Sequence, residues 1–233
     1  MLDDALSYPR DDDDLARPFL IGSGLILAAS VLFVTIIPLY GYLLQVLEDG
    51  RTGGRGLPEF DDWETLIMDG LKVFVVNLVY TGIPSILLSV VGGLVFFFLV
   101  LGGFAVTGAS NGGGGGRIVF LVMLLIGGLV ALVLVLLLLV ASLMLPAALA
   151  RMQVHDDLGA ALDVREVFAT AKNSDYLVAI VLAWVVGFGF SLVGGLLTIL
   201  LVGFPVLLYG MIVVFHLYGQ GYARAMESME KPA

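Results

Sequence analysis

The sequence predicts an all-α fold, a polytopic bundle of transmembrane helices. Hydrophobic residues make up 60% of the 233 residues and charged residues only 13%, whereas soluble domains are about 45–50% apolar and about 25% charged. The mean hydropathy is +1.06, and a water-soluble fold of this length could not bury so much apolar surface. The apolar runs reach the ~20 residues that cross a bilayer. We therefore predict one multi-pass domain in the cell membrane, with about five spans and a sixth as the open alternative.

The first predicted span covers about 19–47 and follows an acidic N-terminal segment, 1–18. Pro38 is expected to kink it. A cleaved signal peptide is the competing interpretation, but no basic region precedes the run, which exceeds the ~7–15 residues of a signal core. A polar connection with glycine and proline loop signals follows over 48–70.

The stretch from Val73 to Leu101 is predicted to be one span, although Gly82-Ile83-Pro84 interrupts it. As a single helix its 29 residues would rise roughly 43 Å, which suits a tilted span. Two crossings need about 40 residues, so the alternative is a short or re-entrant hairpin. The third span is predicted over 118–145, after the run Gly112–Gly116, and a second polar connection over 146–175 follows it.

Two further spans are predicted over about 176–202 and 206–226, separated by a tight turn at 203–205. Both polar connections contain an amphipathic segment, Phe60–Ile67 in the first and Leu162–Phe168 in the second. We expect each segment to form a short helix in the membrane interface. Packing onto the ends of the spans is the alternative.

An internal repeat relates the two halves of the chain. An offset of 102 residues aligns Ser89-Val90-Val91-Gly92-Gly93-Leu94 with Ser191-Leu192-Val193-Gly194-Gly195-Leu196. We place the repeats at about 19–103 and 118–205, so that each contains a span, a connection and a second span. An even number of spans makes the repeats parallel and leaves the final span, 206–226, unpaired.

Small residues recur every four positions at corresponding places in the two repeats. On a membrane helix this spacing forms a groove along one face, which lets another helix approach closely. We expect packing within the chain, with a second copy or another membrane protein as the alternative partner. The eight positions are Thr81, Ser85, Ser89 and Gly93 in the first repeat and Ala183, Gly187, Ser191 and Gly195 in the second.

Composition argues against most catalytic and cofactor chemistry. The chain has no cysteine and two histidines, which excludes thiolate sites and disfavours multi-histidine metal or haem sites. A net charge of −9 argues against a nucleic-acid partner. The glycine run before Arg117 lacks the Lys-Ser/Thr of a phosphate-binding loop, and His155-Asp156-Asp157 is expected to be a solvated loop. We therefore predict no enzyme activity, catalytic residue, metal or cofactor.

Polar residues inside the predicted spans are the remaining candidates for a functional role. No Asp, Glu, Lys or Arg lies deep within a span, which argues against a proton-coupled carrier. His216 and Gln220 are four residues apart and therefore share a face of the final span. We expect hydrogen bonds between helices, and a solute pathway is the alternative. The candidates are Asn77, Tyr209, His216 and Gln220.

Three functions remain open. A non-enzymatic scaffold, assembly factor or membrane-organising component is favoured by the grooved helices and by the lack of catalytic motifs. A small-solute transporter or channel is the alternative, because carriers are often duplicated and contain glycine-broken helices. A membrane-embedded enzyme acting on lipid is the least favoured of the three, because the clustered acidic residues that it would need occur only in the connections.

The basic residues predict an orientation. Eight of the eleven lie with the connections 48–70 and 147–174 and with the C-terminus. Because cytoplasmic loops are enriched in Lys and Arg, that side is predicted to be cytoplasmic. The N-terminus would then be external.

Several segments resemble an uncharacterised family of membrane proteins from halophilic archaea, domain of unknown function 4013. The most specific is Leu-Pro-Glu-Phe-Asp-Asp-Trp at 57–63. The resemblance implies a multi-pass membrane protein of salt-loving archaea and supplies no activity. The other similar segments are 1–9, 41–44, 69–72, 146–151 and 173–177.

Overall fold

The structure is a computed structural model that describes residues 1–10, 15–108 and 114–230. Regular structure in these residues is helical, with ten α-helices joined by short 3₁₀ and π segments. By length and composition, four helical stretches in this part of the chain could cross a membrane, and the predicted all-α membrane bundle is confirmed. The four stretches are Trp63–Phe104, Ile118–His155, Ser174–Leu200 and Gly203–Glu230.

The described chain divides into two compact units. The core unit contains Met1–Asn77 and Leu143–Ala233, and the two-helix unit contains Leu78–Ser142. The helices are α1 (Leu2–Ser7), α2 (Ala16–Ala29), α3 (Ile36–Thr52), α4 (Trp63–Asn77), α5 (Ile83–Gly108), α6 (Gly114–His155), α7 (Leu158–Leu162), α8 (Val164–Ala171), α9 (Ser174–Leu197) and α10 (Gly203–Glu230).

The first predicted span is divided, so the prediction of one helix over 19–47 is wrong. Helices α2 and α3 have 14 and 17 residues and are separated by a 3₁₀ turn at Phe33–Thr35. Leu32 leaves the helical conformation, with φ −120° and ψ 89°. Pro38 lies in the first turn of α3, where a missing N–H costs no helical hydrogen bond. The chain therefore breaks ahead of the proline instead of kinking at it.

The stretch Val73–Leu101 is helical throughout, in agreement with the single-span prediction. A π turn at Leu78–Gly82 joins α4 to α5. Pro84, in the first turn of α5, cannot donate to the carbonyl of Tyr80, four residues earlier. The wider π turn accommodates this loss without ending the helix. The glycine run lies partly outside the described residues, and α6 begins within it at Gly114.

The two amphipathic segments have different outcomes. Phe60–Ile67 is not a separate helix, because α4 begins at Trp63 and continues into the long apolar stretch. Asp62 starts α4 by accepting the backbone N–H three positions on, at 3.1 Å. Leu162–Phe168 does contribute to a separate short helix, α8, which Asp163 caps in the same way at 3.3 Å. Its location in the membrane interface stays a prediction.

The third predicted span was expected to end before Pro146, and this boundary is wrong because α6 continues to His155. Near the proline, the N–H of Ala147 donates to the Tyr176 hydroxyl at 2.9 Å, and that hydroxyl donates to the Leu143 carbonyl at 2.7 Å. An undisturbed helix would pair these two backbone groups directly. The fully buried Tyr176 therefore bridges a gap in the hydrogen bonds of α6.

Helices of the core unit cross at very short distances where glycine replaces a side chain. Helix α10 packs against α9 and α3, and α3 packs against α4. Gly219 and Gly50 lie where α10 crosses α3, and Gly41 and Gly70 lie where α3 crosses α4. A Cβ at any of these four glycines would overlap a backbone carbonyl of the facing helix, so each contact requires glycine. The facing carbonyls are that of Leu47 for Gly219, His216 for Gly50, Leu66 for Gly41 and Ile37 for Gly70.

Candidate functional site

A polar cavity of about 290 Å³ lies in the core unit, where α1 and the segment after α3 approach α10. Two of the four predicted polar candidates, His216 and Gln220, line it from the same face of α10. Their spacing of four residues therefore brings both side chains to one place. The described residues that line it are Asp4, Ser7, Tyr8, Gly53, Gly54, Arg55, His216 and Gln220.

His216 is 4% exposed, and its Nδ1 has no hydrogen-bond partner among the described residues. The ring of Tyr8 stacks on the imidazole, with centroids 4.1 Å apart. The Oε1 atom of Gln220 is also buried without a partner in the described part of the chain. Leaving a buried polar group unpaired costs about 1–3 kcal/mol. The cavity therefore contains two polar atoms that a ligand could satisfy.

A tight turn after α3 forms the mouth of the cavity. The Tyr8 hydroxyl donates to Asp49 Oδ2 at 2.7 Å; burial raises the pKa of Asp49, and this hydrogen bond opposes the shift. The Asp49 carbonyl accepts the N–H groups of Gly53 and Gly54 at 2.8 and 2.9 Å. Gly53 has φ +77°, a conformation that favours glycine. The turn places the exposed Arg55 at the rim.

The other two predicted polar residues are not in the wall of this cavity. The Tyr209 hydroxyl donates to the Leu6 carbonyl, and its ring lies 5.3 Å from that of Phe190. Tyr209 lines a separate, mainly apolar cavity of about 440 Å³. Asn77 is half-buried at the last residue of α4. The structure thus brings together two of the four candidates.

In the second repeat, part of the small-residue face is packed. Ala183 is fully buried and belongs to a cluster with residues of α10. A Cβ at Gly187 would lie 3.0 Å from a methyl group of α10, whereas one at Gly195 would meet nothing within 4 Å among the described residues. Ser191 is exposed. The neighbouring Gly194 is buried against α10, so α10 covers one side of this face.

In the first repeat, the corresponding face on α5 is open within the two-helix unit. Thr81 and Ser85 are half-buried, and Ser89 and Gly93 are exposed. The Ser89 hydroxyl donates to the Ser85 carbonyl of its own helix at 2.8 Å. A Cβ at Gly92 or Gly93 would meet no described atom within 4 Å. The two repeats therefore carry the same small residues in different surroundings.

Sequence reasoning missed four lining residues of the polar site, Asp4, Ser7, Tyr8 and Arg55, and also Asp49, which holds Tyr8. Tyr8 lies in the acidic N-terminal segment, where no periodic pattern marks it. Asp49 and Arg55 belong to a connection that reads as an ordinary polar loop. The one usable signal was the Gly53-Gly54 pair, which indicates a tight turn next to a carboxylate.

The described residues contain no group of three or more His, Cys, Asp or Glu side chains placed to bind a metal ion. The segment His155-Asp156-Asp157 was predicted to be a loop, but His155 is the last residue of α6. Asp156 Oδ1 lies 3.3 Å from Lys72 Nζ. His155 is exposed.

The apolar spans and the helical bundle define an integral membrane protein. The family model Protein of unknown function (DUF4013) matches residues 24–202, and the chain belongs to this family. The matched range leaves out the cavity residues of α1 and α10. No match to the chain was found among the curated proteins or among the solved structures.

Proposed function

We propose that the protein is a non-enzymatic membrane-organising or assembly component that acts by self-association in the bilayer. The open small-residue face of α5 is the observation that carries this proposal. Ser85, Ser89 and Gly93 lie along it at intervals of four residues. Gly92 and Gly93 have free space where a side chain would be.

Packing energetics in lipid support a helix as the occupant of this face. Lipid tails solvate exposed Leu, Val and Phe as well as another helix does, so apolar exposure alone drives no association. A small-residue face is different, because it lets backbones approach and adds close contacts that lipid does not match. In the core unit, glycine contacts of this kind join α3 to α4 and to α10. Helix α5 offers the same kind of surface without a partner in its own unit.

A second copy of the chain is the partner that we propose. Two copies in the same membrane present the α5 face at the same depth, and a face of small residues is complementary to itself about a two-fold axis. The apolar groove of about 260 Å³ between α5 and α6 is lined by Val91 and Val95, which lie on the other side of α5. The described part of α6 therefore does not cover the small-residue face. A different membrane protein is the alternative occupant.

A small-solute transporter or channel is the second candidate function. The polar cavity at His216 favours it, because transport requires a place where solute is bound. The cavity adjoins a connection at one end of α3, and this position suits binding as well as transport.

Cysteine cross-linking tests the proposed dimer. The natural chain has no cysteine, so Ser89→Cys reports a single position. In membranes we expect oxidation to convert most of this variant into a disulfide-linked dimer. Val90→Cys is the matched control: Val90 is 56% exposed but lies about 100° around the helix, so we expect only background cross-linking. Equal yields from the two variants would contradict an α5–α5 contact.

A bulky side chain on the small-residue face of α5 should weaken the proposed dimer. We expect Ser89→Leu to raise the dimer dissociation constant tenfold or more, measured by energy transfer between labelled copies in vesicles, while Val90→Leu changes it little. If Ser89→Leu leaves the dimer intact, the proposal fails. If it instead releases a different co-purifying membrane protein, the partner is not a second copy.

We also propose that the connections 48–70 and 147–174 are cytoplasmic. Lys72, two residues beyond the first connection, forms an ion pair with Asp156 of the second, so these segments lie at the same end of the core unit. Arg17 pairs with Asp61 of the first connection, so the N-terminal segment lies at this end too, and the prediction that the N-terminus is on the opposite side from the connections is wrong.

Leu200, 68% exposed in the turn after α9, lies at the other end of that helix. In intact cells, an impermeant maleimide should label Leu200→Cys and leave Asp61→Cys and Asp157→Cys unlabelled until lysis. The reverse pattern would invert the orientation.

A further inference from the structure

We propose that the cavity at His216 binds a small zwitterionic solute of the amino-acid type. The solute's ammonium group would donate to His216 Nδ1 and Gln220 Oε1, and its carboxylate would pair with Arg55. This inference does not depend on self-association, because it uses α1, α3 and α10 of the core unit.

The side chains in the wall of the cavity are held in place by contacts within the protein. His216 is 96% shielded, as its 4% exposure shows, and the stacked ring of Tyr8 holds its imidazole in place. Tyr8 is itself fixed by its hydrogen bond to Asp49. A polar side chain held in this way, with Nδ1 unpartnered among the described residues, is preorganised for a ligand because little conformational freedom remains to be lost.

Hydrogen-bonding capacity identifies the group that would bind at the deep end. With its proton on Nε2, a neutral histidine presents Nδ1 as an acceptor, and Gln220 Oε1 is an acceptor in every state. Two acceptors in one cavity favour a group with more than one donor hydrogen, and an ammonium group supplies three.

At the rim of the cavity, the positive charge of Arg55 favours a negatively charged group on the solute. Arg55 lies in the lining but is exposed, and its guanidinium matches a carboxylate with two parallel hydrogen bonds. The other charged residue of the described lining, Asp4, is already paired with the Met1 amino group at 3.0 Å. A simple amine would therefore meet the like charge of Arg55 on entering, whereas a zwitterion places one charge at each end. The cavity volume of about 290 Å³ is at the small end of ligand pockets, which run from about 300 to 1,000 Å³. That size suits an amino acid and excludes a nucleotide.

Nitrogen NMR on the full-length protein in detergent micelles tests the proposal. The chain has two histidines, so ¹⁵N-histidine labelling yields two side chains, and the exposed His155 is an internal control. The probes are glycine, methylammonium and acetate at matched ionic strength. We expect glycine to move the Nδ1 signal of His216 upfield with saturation and to leave His155 unchanged. Methylammonium should bind at least tenfold more weakly, and acetate should have no effect.

Two variants separate the contacts. Arg55→Gln changes only an exposed rim residue, and it should weaken glycine binding about tenfold or more. Methylammonium binding should be strengthened by the same change, because the like charge at the rim is removed. Gln220→Leu keeps the side-chain volume and should weaken both probes. A His216 signal that no probe moves would show a water-filled cavity and overturn the proposal. Equal shifts at both histidines, or glycine binding that ignores Arg55→Gln, would also overturn it.

Discussion

Replacing Gly219 with alanine should destabilise the core unit by about 3 kcal/mol. The new Cβ would overlap the Leu47 carbonyl oxygen and would lie 2.7 Å from the Arg51 nitrogen and 2.9 Å from the Gly50 carbonyl carbon. All three are backbone atoms of α3, so no side-chain rotation can relieve the overlap and α10 must move away. Equilibrium unfolding in mixed micelles, followed by tryptophan fluorescence, measures the loss.

Gly189 provides the matched control for this substitution. It is also a helical glycine, but a Cβ there would meet nothing within 4 Å among the described residues. We expect Gly189→Ala to be neutral or to stabilise by up to about 1 kcal/mol, because alanine favours the helix over glycine. If the two variants unfold alike, the close approach of α3 and α10 is not what requires glycine at position 219.

The helical membrane class could be predicted because the bilayer imposes a strict length on apolar segments. A span needs about 20 apolar residues whatever its neighbours are, so hydropathy located the four long stretches. The break at Phe33–Thr35 was not predictable in this way, because apolar residues continue through it and its position depends on the backbone at Leu32. Hydropathy reports burial in lipid, and it does not report where a helix ends within an apolar run.

The end of the third span was misjudged for a related reason. Proline usually marks a boundary, but at Pro146 a tyrosine from α9 supplies the hydrogen bonds that let α6 continue. The sequence around Pro146 does not indicate that Tyr176, 30 residues further along the chain, is the hydrogen-bond partner. Contacts of this kind follow from tertiary packing, and local propensity does not anticipate them.

Only the part of the polar site that lies on one helix could be predicted from the sequence, because the rest is assembled by tertiary packing. His216 and Gln220 share a helix face, and helical geometry alone relates them. Tyr8 comes from the opposite end of the chain, and the Gly53-Gly54 turn from a connection. These segments meet only because α1 and the end of α3 pack against α10, which no spacing rule reveals. A single sequence therefore identified the helix that carries the site but not the segments that enclose it.

Replacing Tyr176 with phenylalanine should cost about 3 kcal/mol of unfolding free energy, because two buried backbone groups of α6 lose their partner. The hydroxyl both accepts from the Ala147 N–H and donates to the Leu143 carbonyl. Tyr209→Phe is the matched control: within the described residues its hydroxyl makes one hydrogen bond, to the Leu6 carbonyl, and its loss should cost about 1 kcal/mol. Equilibrium unfolding of both variants in the same micelles gives the comparison.

Pro146→Ala shows whether the tyrosine acts through the proline. With alanine at this position the helix can regain its regular hydrogen bonds, and the Ala147 N–H can reach the Leu143 carbonyl directly. We therefore expect Tyr176→Phe to cost less in the Pro146→Ala background, with a coupling energy of about 1–2 kcal/mol. An additive double-mutant cycle would contradict the bridge, because Tyr176 would then stabilise α6 independently of the proline.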